Sequence, residues 1–224
     1  MSWVIENLDL LGRLSVDHLR QSAVAIVVAL VLAVPIGWVA WRYTAVRGTV
    51  LTVVGLLYTI PSLGLFAVLA AALGIPMLTE TNLVVALTIY GVAILTRSVA
   101  DGLDSVDAGA RGAAIAVGFG PWRRFWRVDL PLAAPVVLAG LRVTAASTIS
   151  LATVGILIGV QNLGYLFTNG GQRRIVAEVL AGVVAVVLIS LLVDAALVVL
   201  GRLALPWQPR RAARRRRGAR ETVR

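Results

Sequence analysis

The chain has 224 residues, of which 59% are hydrophobic and 14% charged, and its mean hydropathy is +0.90. A water-soluble domain of this length is not so apolar, and a polytopic membrane protein is the class that fits. The net charge of +10 does not point to nucleic acid, because all 21 basic residues are arginine and eight of them fall in the last fifteen positions.

A membrane helix needs about 20 mostly apolar residues to cross roughly 30 Å of hydrocarbon. Residues 1–19 carry Glu6, Asp9 and Asp17 and form an N-terminal segment outside the bilayer. The first apolar run is 21–41; with acids before it and an arginine-bearing loop after it, it reads as a span rather than a cleaved signal peptide. Four further runs follow at about 50–73, 82–100, 132–159 and 175–203. Cytoplasmic loops are enriched in basic residues. The loop after span one holds Arg42 and Arg47, and the loop after span three holds Arg97, Arg111, Arg123, Arg124 and Arg127. The loop after span two has no basic residue. Only Arg173 and Arg174, before span five, oppose this bias. The expectation is an all-α integral membrane protein of about five transmembrane helices, N-terminus outside and C-terminus cytoplasmic. The spans and loops occupy 20–204, and 205–224 form a basic cytoplasmic tail, disordered and lying against the anionic inner leaflet.

The loop between spans three and four, 101–131, has its own pattern. Asp107 can cap a helix of small residues over 107–117, and Gly118 and Gly120 can end it in a left-handed turn. Pro121 can open a second short helix. There Trp122, Phe125 and Trp126 share one face, and the arginines point elsewhere. An interfacial amphipathic helix is the plainest reading of these residues.

The spacing adds a second reading. Gly112-Ala113-Ala114, three residues, Gly118, nine residues and then Val128-Asp129-Leu130-Pro131 resembles the E-A-A-x-x-x-G-x(9)-I-x-L-P loop of the inner-membrane subunits of binding-protein-dependent ABC importers. Gly112 replaces the glutamate, which removes a carboxylate from the docking surface, and Val128 replaces the isoleucine conservatively. "YTIPSLGLFAVLAAALGIP" (58–76) and "LATVGILIGVQNLG" (151–164) are similar to the osmoprotectant permeases for glycine betaine, carnitine and choline, and the likeness runs over about 17–200.

The resemblance implies the type I permease fold, with a coupling helix in the cytoplasmic loop. It also implies ATP-hydrolysing subunits, an extracytoplasmic substrate-binding protein and a second permease subunit, either a copy or a paralogue. Gly112, Ala113, Ala114 and Gly118 would form the knob that docks on the ATPase, and Leu130-Pro131 would start span four so that loop and span move together. The chain has no phosphate-cradling G-x-x-x-x-G-K-[ST], so it is expected to be no enzyme and to need no cofactor.

Within the spans, Tyr58 and Ser62 flank Pro61, where the helix can kink at a cavity and an aromatic ring can meet a quaternary ammonium. Thr144, Ser147 and Thr148 lie on one face of span four, where they line a path or bond a neighbouring helix. Arg142 and Asp194 are ionisable groups at membrane depth, so either they bridge or Arg142 snorkels to the headgroups. Glu178, near Arg173 and Arg174, reads as part of a surface ion pair. One histidine, His18, and no cysteine leave no metal site or thiol chemistry to expect. The other readings are a permease for another small solute, such as an amino acid, and an ion-coupled secondary transporter with Asp194 as its coupling carboxylate.

Overall fold

The computed structural model describes residues 2–207, which are almost wholly helical, with no strand among them. The basic tail lies outside the described residues apart from 205–207. A short helix, α1 (Ser2–Glu6), leads into α2 (Leu8–Arg42). The 35 residues of α2 rise about 52 Å, far more than the hydrocarbon thickness. The helix runs unbroken through 19 and 20, so the mixed-charge N-terminal segment and the first span are one rod.

The expected second span is not straight. It consists of α3 (Thr44–Thr59) and α4 (Ser62–Leu73), bent by 110° at Ile60-Pro61. Pro61 has no N–H to continue the ladder and pushes Ile60 into an extended conformation (φ −67°, ψ 126°). Gly74, at φ +65°, ends α4 in a left-handed turn.

Helix α5 (Glu80–Asp104) is the central post. Thr79 caps it by accepting from the Asn82 N–H, and Glu80 sits favourably in its first turn. It packs between α2 and α8 (Leu130–Ala152), and small residues let the backbones approach. A Cβ on Gly37 of α2 would lie 2.6 Å from Val99 Cβ, and one on Gly140 of α8 would overlap Ser98. Without a hydrophobic force between helices in lipid, such close approach supplies the dispersion that holds them together. One apolar core gathers Leu95, Val99, Leu103, Phe125, Ala133, Val137 and Ile149; a second gathers Phe66, Leu83, Leu87 and Tyr90 towards the other end.

Between α5 and α8 lie α6 (Ala108–Ala116), α7 (Pro121–Arg124) and a π-turn over Phe125–Asp129 that joins α7 directly to α8. The short loop helix is thus continuous with span four. A 3-10 turn (Thr153–Ile158) ends that span, and α9 (Gly164–Arg173) then packs on α10 (Val176–Ala204). Among the described residues four helices are long and apolar enough to cross a membrane, and the bent pair, if it forms one broken span, brings the number to five.

Candidate functional site

The loop between α5 and α8 is built as its residues suggest. The Asp107 carboxylate accepts from the Ala110 N–H at 3.0 Å and starts α6. At its other end the Gly118 N–H reaches the Ile115 carbonyl at 2.9 Å and the Phe119 N–H reaches the Ala114 carbonyl at 3.0 Å. This pair of bonds is the Schellman closure, which needs a left-handed residue, and Gly118 holds φ +84°. Gly112, Ala113 and Gly118 are exposed, whereas Ala114 faces inward. Nothing lies within 4 Å of where a Cβ on Gly112 or Gly118 would sit, so the knob is bare. Ile115, Val117 and Trp122 stand exposed beside it. Leu130 and Pro131, half-buried, form the first turn of α8.

The loop is riveted to the bundle. Phe125 is buried, with its ring edge-on to Trp38 at 5.8 Å, and it clusters with Trp122 and Trp126. Not all the arginines point away. Arg111 and Arg124 turn inward on Asp129, whose side chain is 1% exposed: Arg111 Nε donates to one oxygen at 3.0 Å and Arg124 Nε to the other at 3.1 Å. Arg111 also donates to the Leu103 carbonyl in the last turn of α5, and its guanidinium stacks on Trp41 of α2 at 4.8 Å. Arg123 lies over the Phe119 ring at 4.5 Å.

The polar residues at membrane depth divide into two groups. Tyr58, exposed and edge-on to Tyr90 at 5.9 Å, shares a cleft of about 370 Å³ with Ala146, Ser147, Ser150 and Leu151. Thr144 and Thr148 do not open onto it. They are buried against α5 near Gly91, and the Thr144 hydroxyl bonds back to the Gly140 carbonyl of its own helix. Pro61 and Ser62 sit at the elbow between α3 and α4, where the Ile60 carbonyl accepts the Tyr90 hydroxyl at 2.6 Å. Arg142 and Asp194 bridge in a two-pronged pair, at 2.6 and 2.8 Å.

A family model described as the binding-protein-dependent transport system inner membrane component matches residues 19–205. The chain belongs to that family. It is 29% identical to the osmoprotectant import permease OsmW of Salmonella typhimurium, over 86% of this chain and 90% of that one. It is 30% identical to the choline transport permease OpuBB of Bacillus subtilis, over 85% and 86% respectively. It is 35% identical to part of the ergothioneine transport permease/ergothioneine binding protein EgtU of Helicobacter pylori, over 74% of this chain but 29% of that longer one. The fold matches an inward-facing structure of the MetNI methionine ABC transporter at TM-score 0.80, with 20% identity and 89% and 98% coverage. The protein is therefore the membrane component of an ABC importer, not its ATPase, and its fold is the type I permease fold expected from the sequence.

Several polar residues of this permease gave little signal in the sequence. Glu178 is not in a surface pair: it is fully buried, with its Oε1 accepting from Asn169 Nδ2 at 2.6 Å. His18 is buried too, 2.9 Å from the Ile149 carbonyl through Nε2. Next to it, Gln21 bonds Asn162 and the Gln161 carbonyl, which ties α2 to the turn after span four. Glu178 is a single acid in an apolar run, His18 and Gln21 stand among other polar letters of the mixed-charge segment, and only the fold brings each one's partner close.

Proposed function

We propose that this chain forms half of the membrane channel of an ATP-driven importer for a small quaternary-ammonium osmoprotectant such as glycine betaine, choline or carnitine. A second permease subunit, two ATPase subunits and an extracytoplasmic binding protein complete the machine in this reading. The observation that carries it is the α6–Gly118 loop, a bare-backed helix of small residues presented at one end of the bundle and followed, after the Gly118–Gly120 turn, by α7, which runs directly into span four. A partner helix-binding cleft can close on Gly112, Ala113 and Gly118, where no large side chain stands in the way, while Ala114 packs inward behind them. The loss of the usual glutamate at Gly112 leaves this contact to shape and to the apolar rim of Ile115, Val117 and Trp122.

In this reading the N-terminus is outside, the C-terminus is cytoplasmic, and the subunit sits in the cell membrane. The 101–131 loop meets the ATPase. The elbow at Pro61 and Ser62 lies beside the path, and Tyr58 faces it with Ser147. A quaternary ammonium offers no hydrogen bond, so an aromatic face is the group suited to greet it weakly, at about 0.5–2 kcal/mol. Thr144 and Thr148 pack span four against α5 and shape the path from behind. Ergothioneine is the second reading for the solute, favoured by the 35% identity to the Helicobacter protein.

The test is uptake into proteoliposomes holding the permease with its co-purified ATPase and binding protein. The panel is radiolabelled glycine betaine, choline, carnitine, ergothioneine and methionine. ATP inside should drive accumulation of a quaternary amine, and Tyr58→Ala should weaken it by about tenfold or less. Accumulation that persists without ATP while an ion gradient is maintained would refute the importer reading. Preference for methionine would refute the solute class alone.

A further inference from the structure

We propose that Asp129, gripped by Arg111 and Arg124, is the joint that passes movement of the docking loop to the membrane helices; this rests on the permease reading above. The loop could otherwise absorb a push. It is joined to α5 by the short turn at 105–107, and Gly118 and Gly120 separate α6 from α7. What stiffens it is a buried carboxylate with both oxygens occupied, each by a guanidinium from a different helix.

The three side chains connect every element that the loop must move. Arg111 projects from α6, the docking helix. Its one guanidinium meets Asp129 at the foot of α8, the last carbonyls of α5 at Leu103 and the indole face of Trp41 at the end of α2. Arg124 ties α7 to the same carboxylate. Asp129 itself closes the π-turn, a distortion that adds a residue to one turn of helix and recurs at functional sites. A displaced α6 therefore carries Arg111, and Arg111 carries the inner ends of three spans. The planar fork of arginine is required here, since it must bond a carboxylate and a carbonyl while stacking on a ring. Lysine has the charge but neither the fork nor the plane.

Asp129 is a positioning residue, so its loss should separate ATP hydrolysis from transport. In proteoliposomes holding the full complex, the quantity to measure is solute accumulated per ATP hydrolysed, using the panel solute that the unmodified complex takes up. Asp129→Asn should leave ATPase co-purification intact and hydrolysis within about twofold, while the ratio falls about tenfold, a change within reach of a coupling perturbation. Arg111→Lys should lower the ratio similarly, Asp129→Glu should restore part of it, and the exposed Arg127→Gln should leave it unchanged. If Asp129→Asn fails to insert, Arg124→Gln, which leaves one guanidinium on the carboxylate, carries the test with the same two outcomes. An unchanged ratio overturns the proposal. So does a parallel fall in hydrolysis and uptake, which would make the triad a fold or docking element only. An unmodified complex that hydrolyses ATP and accumulates nothing from the panel would instead refute the permease reading.

Discussion

Gly118 separates what a backbone needs from what a partner needs. Its φ of +84° is unfavourable for any residue with a Cβ, at about 1 kcal/mol, yet the space where that Cβ would sit is empty. Gly118→Ala should therefore weaken the turn only slightly. Under the proposed docking, Gly118→Asp adds an unpaired charge at a surface that the ATPase buries, and such burial is strongly unfavourable. The expected outcome is a subunit that reaches the membrane at normal levels but no longer co-purifies the ATPase or supports uptake. Arg123→Gln, which only uncovers Phe119, should be milder. Retention of the ATPase by Gly118→Asp would return the loop to an interfacial amphipathic helix. At this scale the sequence was readable where a residue acts on its own backbone. Asp107 and Gly118 announce a start and a stop through their side-chain chemistry, and the structure has both. Asp129 and Glu178 act on side chains of other helices, 5 to 18 residues away, that only the fold turns towards them. A lone acid next to Leu130-Pro131 does not say which of five nearby arginines will turn inward.

Among the helices, the pair between Arg142 of α8 and Asp194 of α10 ties span four to span five. An ion pair open to water would contribute little. At membrane depth the alternative to pairing is a charge facing hydrocarbon, so each partner protects the other. Asp194→Asn is expected to lower the thermal stability of the detergent-solubilised subunit, and adding Arg142→Gln should recover much of the loss. Additive losses would show that the two side chains act independently. Apolar length made four of these helices plain in the sequence, but it overstated the straightness of the second span. Pro61 was readable as a kink; the 110° turn was not, because it depends on α5 being there to receive the freed backbone. The opposite error occurred at α9. "GYLFTNGGQR" carries three glycines and reads as loop, and packing on α10 makes it a helix.

For the molecule as a whole, the bundle has two chemically different ends. Asp17, Arg20, Glu80 and Gln161 meet at one, where Arg20 bonds Glu80 at 2.7 Å. Arg47, Asp104, Arg111 and Arg124 gather at the other, where Arg47 reaches Asp104 at 2.6 Å. The orientation proposed above, which rests on the arginine bias, puts the second end in the cytoplasm. The chain has no cysteine, so single cysteines report position without background. One placed in 74–81 should react in intact cells with an impermeant thiol reagent, and one placed in 119–126 should react only after the cells are opened. Labelling of the second site in intact cells would invert the molecule and remove the docking loop from the ATPase side.

The elbow at Ile60-Pro61 also bears on the order in which the protein can be completed. A membrane span normally satisfies its own backbone, but this one leans on α5: the Tyr90 hydroxyl serves the Ile60 carbonyl at the break, and the Asn82 amide adds a bond to the Phe66 carbonyl within α4. Those donors lie 30 and 16 residues downstream of the groups they serve. On a growing chain neither has yet reached the membrane when residues 60–66 emerge. A carbonyl left unpaired in hydrocarbon costs several kcal/mol, so before α5 arrives nothing offsets opening the helix at Ile60 further than Pro61 itself requires. The kink thus comes with Pro61, but the full 110° bend belongs to the finished protein and sets only once the following span has arrived to hold it.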